Sequence, residues 1–124
     1  MLHKFPFTAT LPVTDLNRAR AFYTKVLGLK EVHAEEWIAV FEAGEETELA
    51  LYKRSTPTKA DQTVGSFEVT DIEEVMEGLR AKGVVFEEYD MPGLKTEKGI
   101  TTWGKEKASW FKDPDGNIIG LHQK

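Results

Sequence analysis

The sequence predicts a mixed α+β fold built from two βαβββ modules, and two observations support this prediction. The first is an internal repeat: Val13–Leu16 recurs as Val69–Ile72, so that Asp15 and Asp71 lie 56 residues apart. The second is the apolar spacing within each copy, which changes from alternation, typical of a strand, to steps of three and four, typical of a helix. Each module therefore reads as a strand, a helix and then two or three further strands.

In the first module an alternating strand ends at Asp15, whose carboxylate is suited to cap the free amides of a helix. Gly28 is placed to end that helix in a left-handed conformation. Strands are predicted in "KEVHAEEWIAVFEAG" and "TELALYKR", with a turn at 43–46. The apolar stripe of the helix consists of Leu16, Ala19, Phe22, Tyr23, Val26 and Leu27.

The second module repeats this order, with Asp71 as the cap and Gly83 as the stop of the helix. Strands are predicted in "VVFEEY", "SWFKD" and "NIIGLHQ", and the last two are joined by a tight turn at Asp113–Gly116. The apolar stripe of this helix consists of Ile72, Val75, Met76 and Leu79.

The chain length predicts one domain over residues 1–124, since a chain of this size does not support two independent cores. Module one covers 1–54 and module two covers 63–124, joined by a polar linker at 55–62. Within module two, the polar segment "DMPGLKTEKGITTWGKEK", which contains Trp103, is predicted to be irregular. It is expected to be either a lid over a site or a mobile surface loop.

Composition excludes several classes of function. A net charge of −5 without a basic block argues against nucleic acid as a partner. No apolar run is long enough for a membrane span, so we expect no membrane partner and a cytoplasmic protein. The absence of cysteine excludes disulfides, thiolate metal sites and cysteine nucleophiles. Neither a Ser-His-Asp set nor a phosphate-binding glycine loop is present.

The repeat, the segment "VTDLNRARAFYTKVLGL" and the terminal "KDPDGNIIGL" together resemble the vicinal oxygen chelate superfamily. That group includes glyoxalase I, bleomycin-resistance proteins, fosfomycin-resistance enzymes, methylmalonyl-CoA epimerase and extradiol dioxygenases. The resemblance implies that the two modules curl into a half-open barrel with a cleft. It also implies that single-domain chains pair as homodimers.

The resemblance further implies four metal-ligand positions, which fall on Thr8, Glu48, Val64 and Gly120. Valine and glycine have no side-chain donor and threonine is a weak neutral one, so these positions cannot form a three-point divalent site. We therefore predict no metal ligand at these positions and expect no cofactor. A divalent metal held by another set, such as His122 with Glu48 and Glu68, is not excluded.

Strand alternation predicts which side chains line the cleft, because residues two apart share one face. Glu48 is the candidate catalytic residue, as a general base if it is buried; the alternative is a solvated charge or an ion pair with Lys53 or Arg54. His122 could instead be an exposed terminal histidine. The predicted ligand-cleft residues are Thr8, Thr10, Tyr52, Ser66, Glu68, Trp103, Gly120 and His122.

Three functions are compatible with these residues. The first is a metal-free binding protein, similar to the bleomycin-resistance branch, which holds a small organic molecule in a dimer cleft. The second is a lyase, an isomerase or a dioxygenase-like enzyme that uses Glu48 as base or an atypical metal site. The third is an interaction domain that has kept the fold without small-molecule chemistry.

Overall fold

The computed structural model describes residues 1–124, and the chain divides into two compact units, Met1–Thr58 and Lys59–Lys124. Residues 54–62 contain no helix or strand. None of the helices is long and apolar enough to cross a membrane.

The first unit is a four-stranded sheet with one helix. The strands lie in the order β1-β4-β3-β2, with β1 parallel to β4 and the other pairs antiparallel. The elements are β1 (Ala9–Val13), α1 (Leu16–Ala21), β2 (Lys30–Ala34), β3 (Ile38–Glu42) and β4 (Glu48–Lys53), with short 3₁₀ turns at Leu2–Lys4 and Gly44–Glu46.

The first helix begins as predicted, because the Asp15 carboxylate accepts from the backbone N–H of Arg18 at 3.0 Å. It continues beyond α1 as a π-helical turn at Phe22–Val26, where the Leu27 N–H donates to the Phe22 carbonyl. Gly28 then has φ +74°, a left-handed conformation that favours glycine and ends the helix.

The core of the first unit lies between its helix and its sheet. Leu11 and Val13 of β1 and Leu51 of β4 are buried there, together with Tyr23 and Phe41, whose rings lie 5.8 Å apart. By strand alternation, the even-numbered residues of β1 and β4 lie on the opposite sheet face.

The second unit repeats this topology. Its sheet has the order β5-β10-β9-β8, with β5 parallel to β10 and antiparallel pairing elsewhere, and a separate hairpin joins β6 to β7. The elements are β5 (Thr63–Glu68), α2 (Ile72–Ala81), β6 (Asp90–Met91), β7 (Leu94–Lys95), β8 (Thr101–Trp103), β9 (Glu106–Lys112) and β10 (Ile118–Gln123).

The predicted start and stop of α2 are confirmed. Asp71 accepts from the N–H of Glu74 at 3.2 Å, and Gly83 has φ +94°. Ile72 and Met76 of the predicted stripe are fully buried in the core of the second unit. The helix lies against β10, whose Ile119 and Leu121 are also buried.

The turn before β10 is held by Asp113, which is only 5% exposed. Its carboxylate accepts from the N–H groups of Asp115 and Asn117, each at 2.9 Å, and from the Asn117 side-chain amide at 2.8 Å. Gly116 supplies the positive φ, +93°, that the turn requires. The predicted tight turn is therefore confirmed.

Two predicted features of the second module are wrong. "VVFEEY" is not a strand but makes an isolated bridge between Phe86 and Phe111, because the chain meets β9 there and then turns away to the hairpin at residues 90–95. The segment at 90–107 is not irregular, since β6, β7, β8 and the start of β9 lie within it. Trp103 accordingly ends a strand rather than lying in a loop.

Candidate functional site

The candidate site lies on the sheet face of the second unit that is opposite to α2. Ile119 and Leu121 of β10 point toward the helix, so Gly120 and His122 point the other way. The register places Gly120 between Ser66 of β5 and Trp110 of β9. We call this surface the aromatic face and define it by Ser66, Trp103, Glu106, Trp110, Gly120 and His122.

Gly120 contributes no side chain to the aromatic face. A Cβ atom built there would lie 2.5 Å from the Ser66 Oγ and 3.4 Å from the Trp110 Cδ1. The space above the glycine is therefore occupied by the serine hydroxyl and the edge of the indole, and Gly120 itself is buried. The missing side chain leaves room for the Ser66 hydroxyl and for the edge of the half-buried Trp110 ring.

Glu106 holds two further rings at the end of this face. Its Oε1 lies 2.8 Å from the His122 Nε2, and its Oε2 accepts from the Trp103 Nε1 at 3.2 Å. The indole and the imidazole are nearly parallel, at 9° with ring centroids 6.0 Å apart. One carboxylate thus fixes a stacked pair that remains partly exposed, with Trp103 48% accessible.

Tyr89 packs edge-on against Trp110, with ring centroids 5.5 Å apart and planes at 74°. Burial raises the pKa of Tyr89 above its ordinary 10.0, the carboxylate of Glu87 raises it further and Lys112 opposes both effects. Glu87 and Lys112 form an ion pair of 3.1 Å. The tyrosine is therefore held in its neutral form beside the tryptophan.

The residues of this chain do not match the metal ligands that some members of the superfamily resembled by the sequence carry. At the position assigned to a carboxylate, Gly120 offers no donor, and the nearby space holds Ser66 and Trp110. No three histidine, aspartate or glutamate side chains in residues 1–124 lie together so that they could hold a metal ion. No chemical step is therefore assigned to such a metal.

The cleft residues predicted in the first unit are exposed or half-buried. Thr8 lies one residue before β1 and is exposed, and Thr10 of β1 is also exposed. Tyr52 of β4 is half-buried and pairs with Pro12 on the sheet face that carries Thr10. Glu48 is exposed and lies opposite Glu42, so the chain itself does not provide the burial on which the general-base hypothesis depended.

The other two predicted positions of the second unit lie on β5. Glu68 is exposed, neighbours His122 in the register and pairs with the Lys124 ammonium at 3.3 Å. The register shifts at the level of Val64, because Thr63 pairs with Ile118 and the next paired residue is Gly65. The structure therefore brings together Ser66, Gly120 and His122 with Trp103, and leaves Val64 at an irregularity.

Trp110, Glu106 and Tyr89 are the site residues that the sequence analysis did not predict. Trp103 and Glu106 pair across a two-residue hairpin turn in which Gly104 has φ +63°. The segment "TTWGKEKAS" carries a signal for this hairpin, since one glycine lies between two alternating runs. Tyr89 carries no such signal, because its contact with Trp110 arises outside the sheet register.

Comparison with known proteins identifies the family. A sequence model of the Glyoxalase/Bleomycin resistance protein/Dioxygenase superfamily matches residues 6–121, which is nearly the whole chain. The chain belongs to this superfamily.

Solved structures of other proteins show the same fold at low sequence identity. A superfamily member from Sphaerobacter thermophilus is 27% identical, with 97% of each chain covered and a TM-score of 0.68. A lactoylglutathione lyase from Agrobacterium tumefaciens is 20% identical, with a TM-score of 0.73 over 96% of this chain and 92% of that one. The fosfomycin resistance protein FosX from Listeria monocytogenes, solved with Mn(II) and sulfate, is 18% identical, with a TM-score of 0.74 over 99% and 91%.

Proposed function

We propose that this protein binds a small, planar organic molecule on the aromatic face of its second unit, and that it does so without the metal set of its metalloenzyme relatives. The observation that supports this proposal most strongly is the environment of Gly120. The position that the resemblance assigns to a metal-binding carboxylate is a glycine whose side-chain space is taken by the Ser66 hydroxyl and the edge of the Trp110 ring. In this proposal an aromatic surface on which a planar molecule can stack replaces the side chain that would coordinate a metal ion.

The polar groups on this face favour a neutral or cationic molecule over an anion. The carboxylate of Glu106 lies beside Trp103, whereas that of Glu68 is paired with the Lys124 ammonium, and the chain carries a net charge of −5. The Ser66 hydroxyl adds one neutral hydrogen-bonding group. Aromatic rings attract cations through their π-systems, by about 0.5–2 kcal/mol depending on exposure.

The test is a set of binding titrations in buffer that contains a chelator. Binding is measured by tryptophan fluorescence and by calorimetry. The probes are acridine as a neutral ring system, thioflavin T as a cation and naphthalenesulfonate as an anion. We expect thioflavin T and acridine to bind, and naphthalenesulfonate to bind more weakly. Loss of one stacking partner is expected to weaken binding by about two- to tenfold.

The variants are Trp110→Leu and Trp103→Leu, with Trp37→Leu as the matched control. Trp37 is an exposed tryptophan of the first unit, over which the Lys53 ammonium lies at 5.2 Å from the ring centroid. The proposal is contradicted if Trp37→Leu weakens binding as much as Trp110→Leu does. It is also contradicted if binding appears only after a divalent metal is added.

We also propose that the protein works as a homodimer, as the resemblance implies. The support is a set of exposed apolar side chains before β1, where Phe5 is 65% and Phe7 is 90% accessible. Clustered exposed apolar residues are typical of surfaces that are covered by a partner. Light scattering should give a dimer for the wild type and a larger monomer fraction for the double variant Phe5→Ser/Phe7→Ser.

A second candidate function is an isomerase or lyase, and the His122–Glu106 contact favours it. An imidazole oriented by a carboxylate is a common arrangement for a general base. In this function His122, rather than the exposed Glu48, would take the proton, and Glu106 would orient the ring. Glu106→Gln would then lower turnover far more than ligand affinity, whereas a binding protein would show a change in affinity alone.

A further inference from the structure

A second surface of the second unit lies on the α2 side of its sheet and has a different chemistry. It is an open groove of about 700 Å³, a volume within the range of small-molecule sites. Thr102 and Lys107 reach it because they alternate with Trp103 and Glu106 along β8 and β9. We call it the basic groove; it is lined by Glu73, Met76, Arg80, Lys95, Glu97, Lys98, Ile100, Thr102 and Lys107.

The basic groove carries an excess of positive charge in an acidic chain. Four of its residues are cationic and two are carboxylates, although the chain as a whole has a net charge of −5. Lys107 is paired with Glu73 at 2.8 Å, so that pair is internally neutral. The remaining cations, Arg80, Lys95 and Lys98, face only one further carboxylate among the lining residues.

Lys98 occupies a backbone position that a lysine rarely adopts. It is the first residue of a two-residue hairpin loop, with φ +53°, followed by Gly99 with φ +83°. The flanking residues, Glu97 and Ile100, exchange backbone hydrogen bonds of 2.8 and 3.0 Å. Two positive φ values in such a loop favour Asn-Gly, so the lysine is held there at a conformational cost.

The hairpin loop is fixed to the rest of the unit at several points. Arg80 donates to the Lys98 carbonyl at 2.8 Å, and the Gly99 N–H donates to Glu88 at 2.6 Å. A Cβ atom on Gly99 would make tight contacts of 3.1 Å with both Met76 and Phe86, and the φ of +83° also favours glycine here. The Lys98 backbone is therefore positioned before any ligand arrives, which lowers the ordering cost of binding.

We propose that the basic groove binds a small, multiply charged anion, of the class that includes phosphate esters and polycarboxylates. Arg80, Lys95 and Lys98 supply the charge, and Thr102 can donate one neutral hydrogen bond. This site is separate from the aromatic face, because the two lie on opposite faces of one sheet. It does not depend on the function proposed above.

The test is an NMR titration of the full chain with pyrophosphate and, separately, with citrate. We expect saturable shifts of the backbone amides in residues 98–102 with at least one of the two anions, and the pair distinguishes phosphoryl from carboxylate chemistry. The central variant is Lys98→Asn, which removes the charge and places a favoured residue in the loop. It should therefore raise the urea midpoint while it weakens anion binding by about five- to tenfold, the effect of one nearby charge.

The matched control is Lys59→Asn, the same change at an exposed residue that does not line the groove. It should leave the dissociation constant unchanged. Equal affinity in Lys98→Asn and the wild type would overturn the proposal, and so would shifts that spread over exposed lysines throughout the chain. Lys95→Gln is the second variant, and it too should weaken binding without unfolding the protein.

Discussion

The space above Gly120 can be tested by changing the glycine and the serine that fills it. In Gly120→Ala the new Cβ would lie 2.5 Å from the Ser66 Oγ, whereas the Ser66 Cβ and the Trp110 Cδ1, at 3.4 Å, are at ordinary contact distance. Only the hydroxyl must therefore move. Forcing it from its position should cost about 0.5–1.5 kcal/mol.

Two effects then combine in Gly120→Ala. Replacing glycine by alanine restricts the unfolded chain, which stabilises the protein by about 0.4–1 kcal/mol where the backbone permits the change. In the wild-type background this gain and the cost at Ser66 nearly cancel. In a Ser66→Ala background the obstructing atom is absent, so Gly120→Ala should raise the free energy of unfolding.

The assay is urea unfolding followed by tryptophan fluorescence for the wild type, both single variants and the double variant. We expect a coupling free energy of about 0.5–1.5 kcal/mol between the two sites. Ser66 is exposed, so Ser66→Ala alone should change stability by less than about 0.5 kcal/mol. Equal effects of Gly120→Ala in the two backgrounds would refute the contact between Gly120 and the serine hydroxyl.

Three further predictions concern stability. Asp113→Ala should lower the free energy of unfolding, measured in urea, by about 3 kcal/mol, because a buried carboxylate with three hydrogen bonds is lost. The control Asp61→Ala, at an exposed residue, should cause a much smaller change. Hydrogen bonds from Arg20 lower the pKa of Glu31, so this carboxylate stabilises the fold above the unfolded value near 4.5 and that contribution disappears as the pH falls through the folded pKa. The difference in free energy of unfolding between the wild type and Glu31→Gln should therefore decrease towards zero as the pH falls. A difference that does not change with pH would contradict this prediction. Burial raises the pKa of Tyr89, so the neutral tyrosine stabilises the fold below pH 10.0, and this contribution is lost as the pH rises through the folded pKa. Thermal unfolding should therefore show that Tyr89→Phe loses less stability in alkali than the wild type does.

Local signals made the fold predictable from the sequence. Asp15 and Asp71 cap their helices, Gly28 and Gly83 end them, and Asp113 organises the last turn, each through contacts within a few residues. Such interactions depend on short spacings that the sequence displays directly. The repeat then indicates that both modules share one topology, and both sheets have the corresponding strand order.

The candidate site was only partly predictable, because it depends on the register between strands. Gly120 was recognised as a special position, but its neighbours Ser66 and Trp110 follow from the pairing of β10 with β5 and β9. Glu106 and Trp103 pair across a two-residue hairpin, and the single glycine between the two alternating runs is the sequence signal for this contact. The contact of Gly120 with Ser66, in contrast, joins strands that are far apart in the sequence, and spacing along the chain does not encode it.

The most direct test of the central claim is calorimetric titration of thioflavin T into protein stripped of divalent metals by a chelator, with the wild type, Trp110→Leu and Trp37→Leu compared. We expect saturable binding to the metal-free wild type, binding about two- to tenfold weaker in Trp110→Leu, and no change in Trp37→Leu. Binding that requires an added metal, or that is unaffected by Trp110→Leu, would contradict the assignment of the aromatic face as a metal-independent ligand site.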